Sequence, residues 1–221
     1  MTRIAILNYG MGNLRSVAKA LEHVGARPEL TNDHRRVREA DGVVLPGVGA
    51  MPKAMEHVRR LGLDRLLSER VGAGVPLIGL CMGMQLLFES TTELGGAEGI
   101  GLFEGPVEQL DAHGLKIPQI GWNPVVWRRE TALNAGLPDP CAFYHANSFA
   151  PRPARAEDVL GAADYGSEFV SAVACPPVYG VQFHPEKSGE AGLALLANFV
   201  GICAGEPRVE TTASGASPRA R

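Results

Sequence analysis

The sequence has few of the features that mark exported, membrane-bound or metal-dependent chains. Its 221 residues include only four cysteines, at 81, 141, 175 and 203, with no Cys-x-x-Cys pair. That spacing supplies neither a disulfide framework nor a zinc site. No His-x-x-x-His pair points to a metal, and no Gly-x-x-x-x-Gly-Lys loop points to a nucleotide phosphate. Gly10-Met-Gly-Asn lacks the third glycine of a dinucleotide-binding loop. No apolar stretch approaches the roughly 18 residues of a membrane helix. The best, Val75–Leu80, is strand-sized, and the N-terminal apolar run is too short for a signal peptide. Neither sign of charge predominates. Lys and Arg number 21 against 24 Asp and Glu, a net of −3, so bulk electrostatics favours neither nucleic acid nor an anionic membrane. The short basic runs Arg35–Arg36 and Arg59–Arg60 read as solvated helix faces. What remains is a cytoplasmic enzyme or binding protein, with no metal and no cofactor expected.

The composition is that of a globular domain: 45% apolar and 20% charged residues, enough to build one core without staples. Along the first half, buried-type strands alternate with amphipathic helices. Arg3–Leu7 reads as a strand, Asn8-Tyr-Gly-Met-Gly as a turn, and Asn13 as the cap of a helix carrying Leu14, Val17, Leu21 and Val24. Strands follow near Pro28–Thr31 and at Gly42–Leu45. A helix from Pro52 carries Met55, Val58, Leu61 and Leu66, and Gly72–Gly74 ends it. Val75–Leu80 is a third buried strand, and Met84–Glu89 reads as helical. The second half is strand-rich, with candidates at Gly114–Gln119, Pro124–Trp127, Ala142–Phe149, Glu168–Ala174 and Val178–Phe183, before a last helix over Glu190–Cys203. This pattern predicts one α/β domain over residues 1–204 with a central, mostly parallel mixed sheet flanked by helices. From 205 to 221 almost nothing is apolar, which predicts a disordered tail.

Gly79-Leu-Cys-Met-Gly sets a cysteine between two glycines, after a buried strand and before a helix. This is the nucleophile-elbow pattern with cysteine in place of serine. A helix start favours a thiolate through its free N–H groups and dipole. A thiolate needs a base, and six histidines are present. His23, His34 and His57 fall in helical or polar segments and read as surface residues; His113 adjoins a glycine turn. His184 ends the apolar run from Val178 and precedes Pro185-Glu186-Lys187, at a strand C-terminus where open α/β sheets build their sites. Glu186 could orient the imidazole and complete a Cys–His–Glu set. Pro46-Gly-Val-Gly-Ala follows another buried strand, so its backbone and the Met82 N–H could donate to an oxyanion.

Taken together, Asn8-Tyr-Gly-Met-Gly-Asn, Pro46-Gly-Val-Gly-Ala, Gly79-Leu-Cys-Met-Gly-Met-Gln, Pro118-Gln-Ile-Gly-Trp-Asn and Gly180-Val-Gln-Phe-His-Pro-Glu-Lys-Ser resemble the class I, triad-type glutamine amidotransferases. More narrowly they resemble the glutaminase subunits of imidazole glycerol phosphate synthase, over residues 3–203. The resemblance implies that Cys81 attacks L-glutamine, His184 moves protons and Glu186 holds His184. It implies that Gln85 and Gly49 help bind glutamine, and that Gly47, Val48 and Met82 form the oxyanion hole. It also implies a (β/α)8-barrel cyclase as heterodimer partner, with Asn13, Trp122, Asn123 and Lys187 at the interface and a weak glutaminase in the free chain. One segment departs from the family pattern: Asn147 stands where a histidine is expected, and His145 lies one strand period earlier. Other readings are an amidotransferase serving anthranilate or another synthase, a non-catalytic binding subunit, and a cysteine peptidase or esterase.

Overall fold

The computed structural model describes residues 1–205. Its first half alternates strand and helix as expected: β1 (Arg3–Leu7), α1 (Leu14–His23), β2 (Arg27–Thr31), α2 (His34–Arg38), β3 (Gly42–Gly47), α3 (Met51–Arg60), α4 (Leu63–Gly72), β4 (Leu77–Cys81) and α5 (Met82–Leu86). β3 and β4 are buried along their whole length, which is why each reads as an unbroken apolar run. The helix expected from Pro52 through Leu66 is two helices, α3 and α4. Gly62 adopts a left-handed φ of 65° at the junction and lets the chain turn before Leu63. Asn13 precedes α1, but its side chain makes no capping hydrogen bond. The charged segment after β2 contains the short α2, capped by Asp33 through the Arg35 and Arg36 N–H groups.

The second half holds β5 (Phe88–Thr91), β6 (Ala97–Glu98), β7 (Phe103–Gln109), β8 (Gln119–Trp127), β9 (Cys141–Asn147), β10 (Phe149–Pro151), β11 (Val159–Tyr165), β12 (Ser167–Cys175), β13 (Val178–Val181) and α6 (Gly189–Ala204). Three expectations change. The helix at Met84–Glu89 stops at Leu86, because Phe88 enters a strand and stacks on Phe103 with ring centroids 5.3 Å apart. Gly114–Gln119 and Pro124–Trp127 are not two strands: β8 begins only at Gln119 and runs unbroken to Trp127. The Ala142–Phe149 run is divided at Ser148, β9 joining the large sheet and β10 a smaller one.

The large sheet is mixed, with strand order β2-β1-β3-β4-β13-β12-β11-β8-β9. Pairing is parallel from β2 across to β13 and antiparallel from there to β9. A second sheet, β10-β7-β5-β6, packs beside it. Helices cover both faces of the parallel half. Val17 and Leu21 of α1 join Leu195, Leu196 and Phe199 of α6 in one core cluster; Met55 and Val58 of α3 join Leu66 and Leu67 of α4 in the other. Among the described residues no helix is long and apolar enough to cross a membrane. The expected tail from 206 to 221 lies outside the described residues.

The arrangement matters for function because β3, β4 and β13 are parallel neighbours. Gly47 pairs with Cys81, and Val181 pairs with Leu80. The C-terminal ends of all three strands therefore open at one place, the position where sheets of this kind gather their chemistry.

Candidate active site

Cys81 closes β4 and precedes α5 with φ 54° and ψ −115°. A side chain at positive φ is strained, by about 1–3 kcal/mol. The strain persists because the surroundings allow little else. A Cβ on Gly79 would lie 2.6 Å from the Gly83 carbonyl oxygen and the Met84 nitrogen, and a Cβ on Gly83 would overlap the Leu45 carbonyl. Glycine at both positions lets α5 pack down on β3 and β4, so the strand turns into the helix at one residue. The cysteine side chain is left at the sheet end, where it lines a cavity of about 280 Å³.

His184 comes three residues after β13, the strand paired with the β4 that carries the cysteine. Its backbone is pinned from two sides. Its N–H donates to the Tyr144 carbonyl at 2.9 Å, and its carbonyl accepts from Ser188 Oγ at 2.6 Å. Ser188 Oγ also accepts the Tyr144 N–H at 3.0 Å, which ties β9 to the same turn. A 3-10 turn, Pro185–Lys187, then brings Glu186 Oε1 to 3.0 Å from His184 Nδ1. A carboxylate can only accept, so Nδ1 carries the proton on that side, which leaves Nε2 for other partners. Burial opposes the imidazolium, but hydrogen bonding to Cys81 and Glu186 and their negative charges outweigh it and raise the pKa to about 9.

The cavity collects most of the residues singled out in the sequence: Val48, Gly49, Cys81, Met82, Gln85, His184 and Lys187 line it. Gly47 lies opposite Cys81 in the strand register, and Glu186 stands behind His184. Lys187 Nζ also sits 5.6 Å from the Tyr144 ring centre. Trp122 is outside the cavity, on the open face of β8, and meets Tyr144 edge-on at 6.3 Å. Asn123 is turned to β11, where its amide donates to the Asp164 carbonyl at 2.6 Å. Asn13 stands at the start of α1, a helix that packs against the Pro185–Lys187 turn.

The two residues of the divergent segment have separate fates. Asn147 lines the cavity and donates to the Phe149 carbonyl at 3.1 Å. His145 is fully buried away from it, between the Phe143 carbonyl at 3.1 Å and Ser171 Oγ at 2.8 Å. Burial, which outweighs the hydrogen bond to Phe143, drops its pKa to about 4, so it is a neutral core histidine.

Three side chains at the site were not singled out from the sequence. Gln182 donates from Nε2 to Cys81 Sγ at 3.7 Å. Tyr9 donates to the Pro46 carbonyl at 2.7 Å, and its phenol is held protonated by burial and by the charge of Cys81. Glu93 lines the cavity and accepts the Met51 N–H at 2.7 Å. Tyr9 and Gln182 sit inside segments quoted above, the glycine-rich turn after β1 and the run into His184, whereas Glu93 carries no local signal.

The family Glutamine amidotransferase class-I matches residues 5–203. Imidazole glycerol phosphate synthase subunit HisH of Bacillus cereus (strain G9842) is 47% identical over 200 residues, covering 90% of this chain and 94% of that protein. The chain belongs to the class-I glutamine amidotransferases. Within that family it is also 46% identical to the HisH subunit of Pseudomonas syringae pv. syringae (strain B728a), over 90% of this chain and 97% of that one. The same fold recurs in the solved structure of PurLQS from Thermotoga maritima, with a TM-score of 0.74 at 20% identity, covering 91% of this chain and 99% of that chain.

Proposed function

We propose that this chain is the glutaminase subunit of an imidazole glycerol phosphate synthase. It hydrolyses L-glutamine to glutamate and ammonia through Cys81, His184 and Glu186, and passes the ammonia to a (β/α)8-barrel cyclase subunit. The observation that carries this reading is the strained Cys81 elbow set beside a histidine whose Nδ1 is held 3.0 Å from Glu186.

The chemistry follows from that geometry. The Cys81 thiolate attacks the side-chain carboxamide carbon of glutamine, and the carbonyl π pair moves onto oxygen. The Met82 N–H and the backbone of Gly47–Val48 receive that oxyanion. As it collapses, the carbon–nitrogen bond breaks, and His184 gives its Nε2 proton to the departing nitrogen, which leaves as ammonia. A glutamyl thioester remains on Cys81. His184, now neutral, takes a proton from water; the hydroxide attacks the thioester, and glutamate leaves with the thiolate restored. Glu186 keeps the imidazole in one tautomer throughout.

Binding of the amino-acid head group draws on Gly49 and on two cavity side chains. Gln85 spends both amide hydrogens inward, on the Phe149 carbonyl at 2.9 Å and on Gln182 Oε1 at 3.0 Å. Only its own oxygen is left for substrate, and an oxygen recognises the α-ammonium. Glu93 adds the negative charge that an ammonium requires.

The partner surface lies on the outer face of β8. Ile120, Trp122 and Val126 alternate along that strand and are 66%, 59% and 45% exposed. A strip of large apolar side chains on an open sheet face suits a protein interface. From Trp122 the path to the site is short: Trp122 meets Tyr144, Tyr144 meets the His184 ring at 6.5 Å, and Lys187 lies over Tyr144. Asn13 and Asn123 belong to the same proposed interface. Oxyanion donors that align only when the cyclase holds its ribotide ligand would keep the free chain a weak glutaminase.

Glutamate release by the wild type and by Cys81→Ala, each alone and with the cyclase and its ribotide, tests the reading. The expected result is low activity for the free wild type, a rise of orders of magnitude in the complex, and none with Cys81→Ala. Activity that survives Cys81→Ala would sink it.

A further inference from the structure

Gln182 is fully buried, lies 101 positions from Cys81 in sequence, and does not line the cavity. It is therefore out of reach of glutamine. Resting on the nucleophile assignment above, we propose that Gln182 is a positioning residue for Cys81: its amide N–H holds the sulfur as a thiolate, and Gln85 fixes that amide's orientation.

The argument turns on which end of each amide faces which way. The Phe149 carbonyl can only accept, so the Gln85 atom 2.9 Å from it must be the nitrogen. That same nitrogen is 3.0 Å from the Gln182 amide and can only donate there, so the Gln182 atom facing it must be the oxygen. The other end of the Gln182 amide, its NH₂, is then obliged to face Cys81 Sγ, at 3.7 Å. A backbone carbonyl thus sets the polarity of two side-chain amides in series. Reversing either one would place an oxygen lone pair against a thiolate. The Gln182 backbone is fixed too, its N–H donating to the Ser171 carbonyl at 2.8 Å.

Besides His184, the sulfur has one partner for each of its protonation states. As a thiol it can donate to the Ala146 carbonyl, 3.9 Å away; as a thiolate it can only accept, and Gln182 is the amide that donates. The other groups facing it are His184, backed by Glu186, and the phenol of Tyr9; Glu93 and Lys187 lie further along the cavity wall. His184 must leave the sulfur to deliver its proton to the leaving nitrogen. Gln182, held through both its backbone and its amide oxygen, keeps Sγ in place while the imidazole works.

The test is iodoacetamide alkylation of Cys81 in the intact chain across pH 5–10, read by peptide mass spectrometry to separate it from the other three cysteines. Gln182→Met keeps the length and removes the donor. The expected result is a shift of the alkylation midpoint upward by about one pH unit. Gln85→Leu should move it the same way, and adding it to Gln182→Met should give no further shift, because both act along one chain. In the cyclase complex, Gln182→Met should lower kcat about tenfold with little change in KM, the pattern of a group that never touches substrate. A folded Gln182→Met with an unchanged midpoint overturns the proposal. If that variant does not fold, Gln85→Leu decides on the same readout. Wild-type Cys81 that alkylates no faster than Cys175 would overturn the nucleophile assignment itself, and the role of Gln182 with it.

Discussion

Gly83 rests against the Leu45 carbonyl so closely that one added carbon would overlap it. This contact between α5 and β3 is what lets the chain turn from strand to helix at Cys81. Gly83→Ala must push α5 off the sheet, and overpacking of a backbone-to-backbone contact has no flexible side chain to absorb it. The expected loss is about 3 kcal/mol or more in urea denaturation. Gly72 is the matched control. It closes α4 with nothing within 4 Å of an added Cβ, so Gly72→Ala should raise stability by about 0.5 kcal/mol. Equal effects from the two would contradict the packing argument.

Strands β1, β3 and β4 of the parallel half were legible in the sequence because they are buried almost throughout and read as short apolar runs. β1 has the expected bounds, and β3 and β4 differ at their ends by only one or two residues. The second sheet was not legible. β7 reads Phe-Glu-Gly-Pro-Val-Glu-Gln, with a glycine and a proline inside it, and β6 is two residues long. β11 was missed because Val-Leu-Gly-Ala-Ala-Asp-Tyr is built mainly from small residues with weak strand preference. At the site the same contrast holds. Cys81, His184 and Glu186 carry local signals, a glycine elbow and a strand end. Gln182 lies inside the Gly180–Ser188 motif, but nothing local marks its contact with Cys81, since only the β4–β13 pairing brings the two together.

The buried His145 sets an acid limit on stability. The fold holds it neutral with a pKa of about 4, against an ordinary value of 6.5. Its contribution is therefore fully present above pH 6.5 and is lost as pH falls from 6.5 through about 4, because the unfolded chain binds the proton first. Urea denaturation at pH 7, 5.5 and 4.5 should show this decline in the wild type and a flatter one in His145→Gln. Parallel slopes for both would remove His145 as the cause.

The His184–Glu186 pair acts in the opposite direction. His184 is raised from 6.5 to about 9, with burial opposing the shift and hydrogen bonds to Cys81 and Glu186 producing it. The imidazolium's contribution is fully present below 6.5 and lost as pH rises through about 9. Glu186→Gln removes one of the charges that sustain it but keeps the shape of the turn. The alkaline decline in stability should shrink, and kcat for glutamate release in the complex should fall about 100-fold or more as the imidazole loses its anchor. Glutaminase activity within a factor of two of the wild type would show that Glu186 does not orient His184.

Trp122 is the side chain on which the proposed interface should depend most. It is large, 59% exposed, set in an apolar strip, and flanked by its cross-strand neighbour Tyr144. Aromatic residues of this kind dominate interface energetics when a partner covers them, whereas a solvent-facing tryptophan adds little to the fold of the free chain. Trp122→Ala should leave the urea midpoint of the isolated subunit nearly unchanged. It should weaken binding to the cyclase by about 2 kcal/mol, or roughly 30-fold in Kd by titration calorimetry. Asn123→Ala is the contrasting case, because its amide is committed to the Asp164 carbonyl at 2.6 Å, so its loss should appear in the stability of the subunit as well as in binding. A Trp122→Ala subunit that binds the cyclase as tightly as the wild type would move the interface off the outer face of β8.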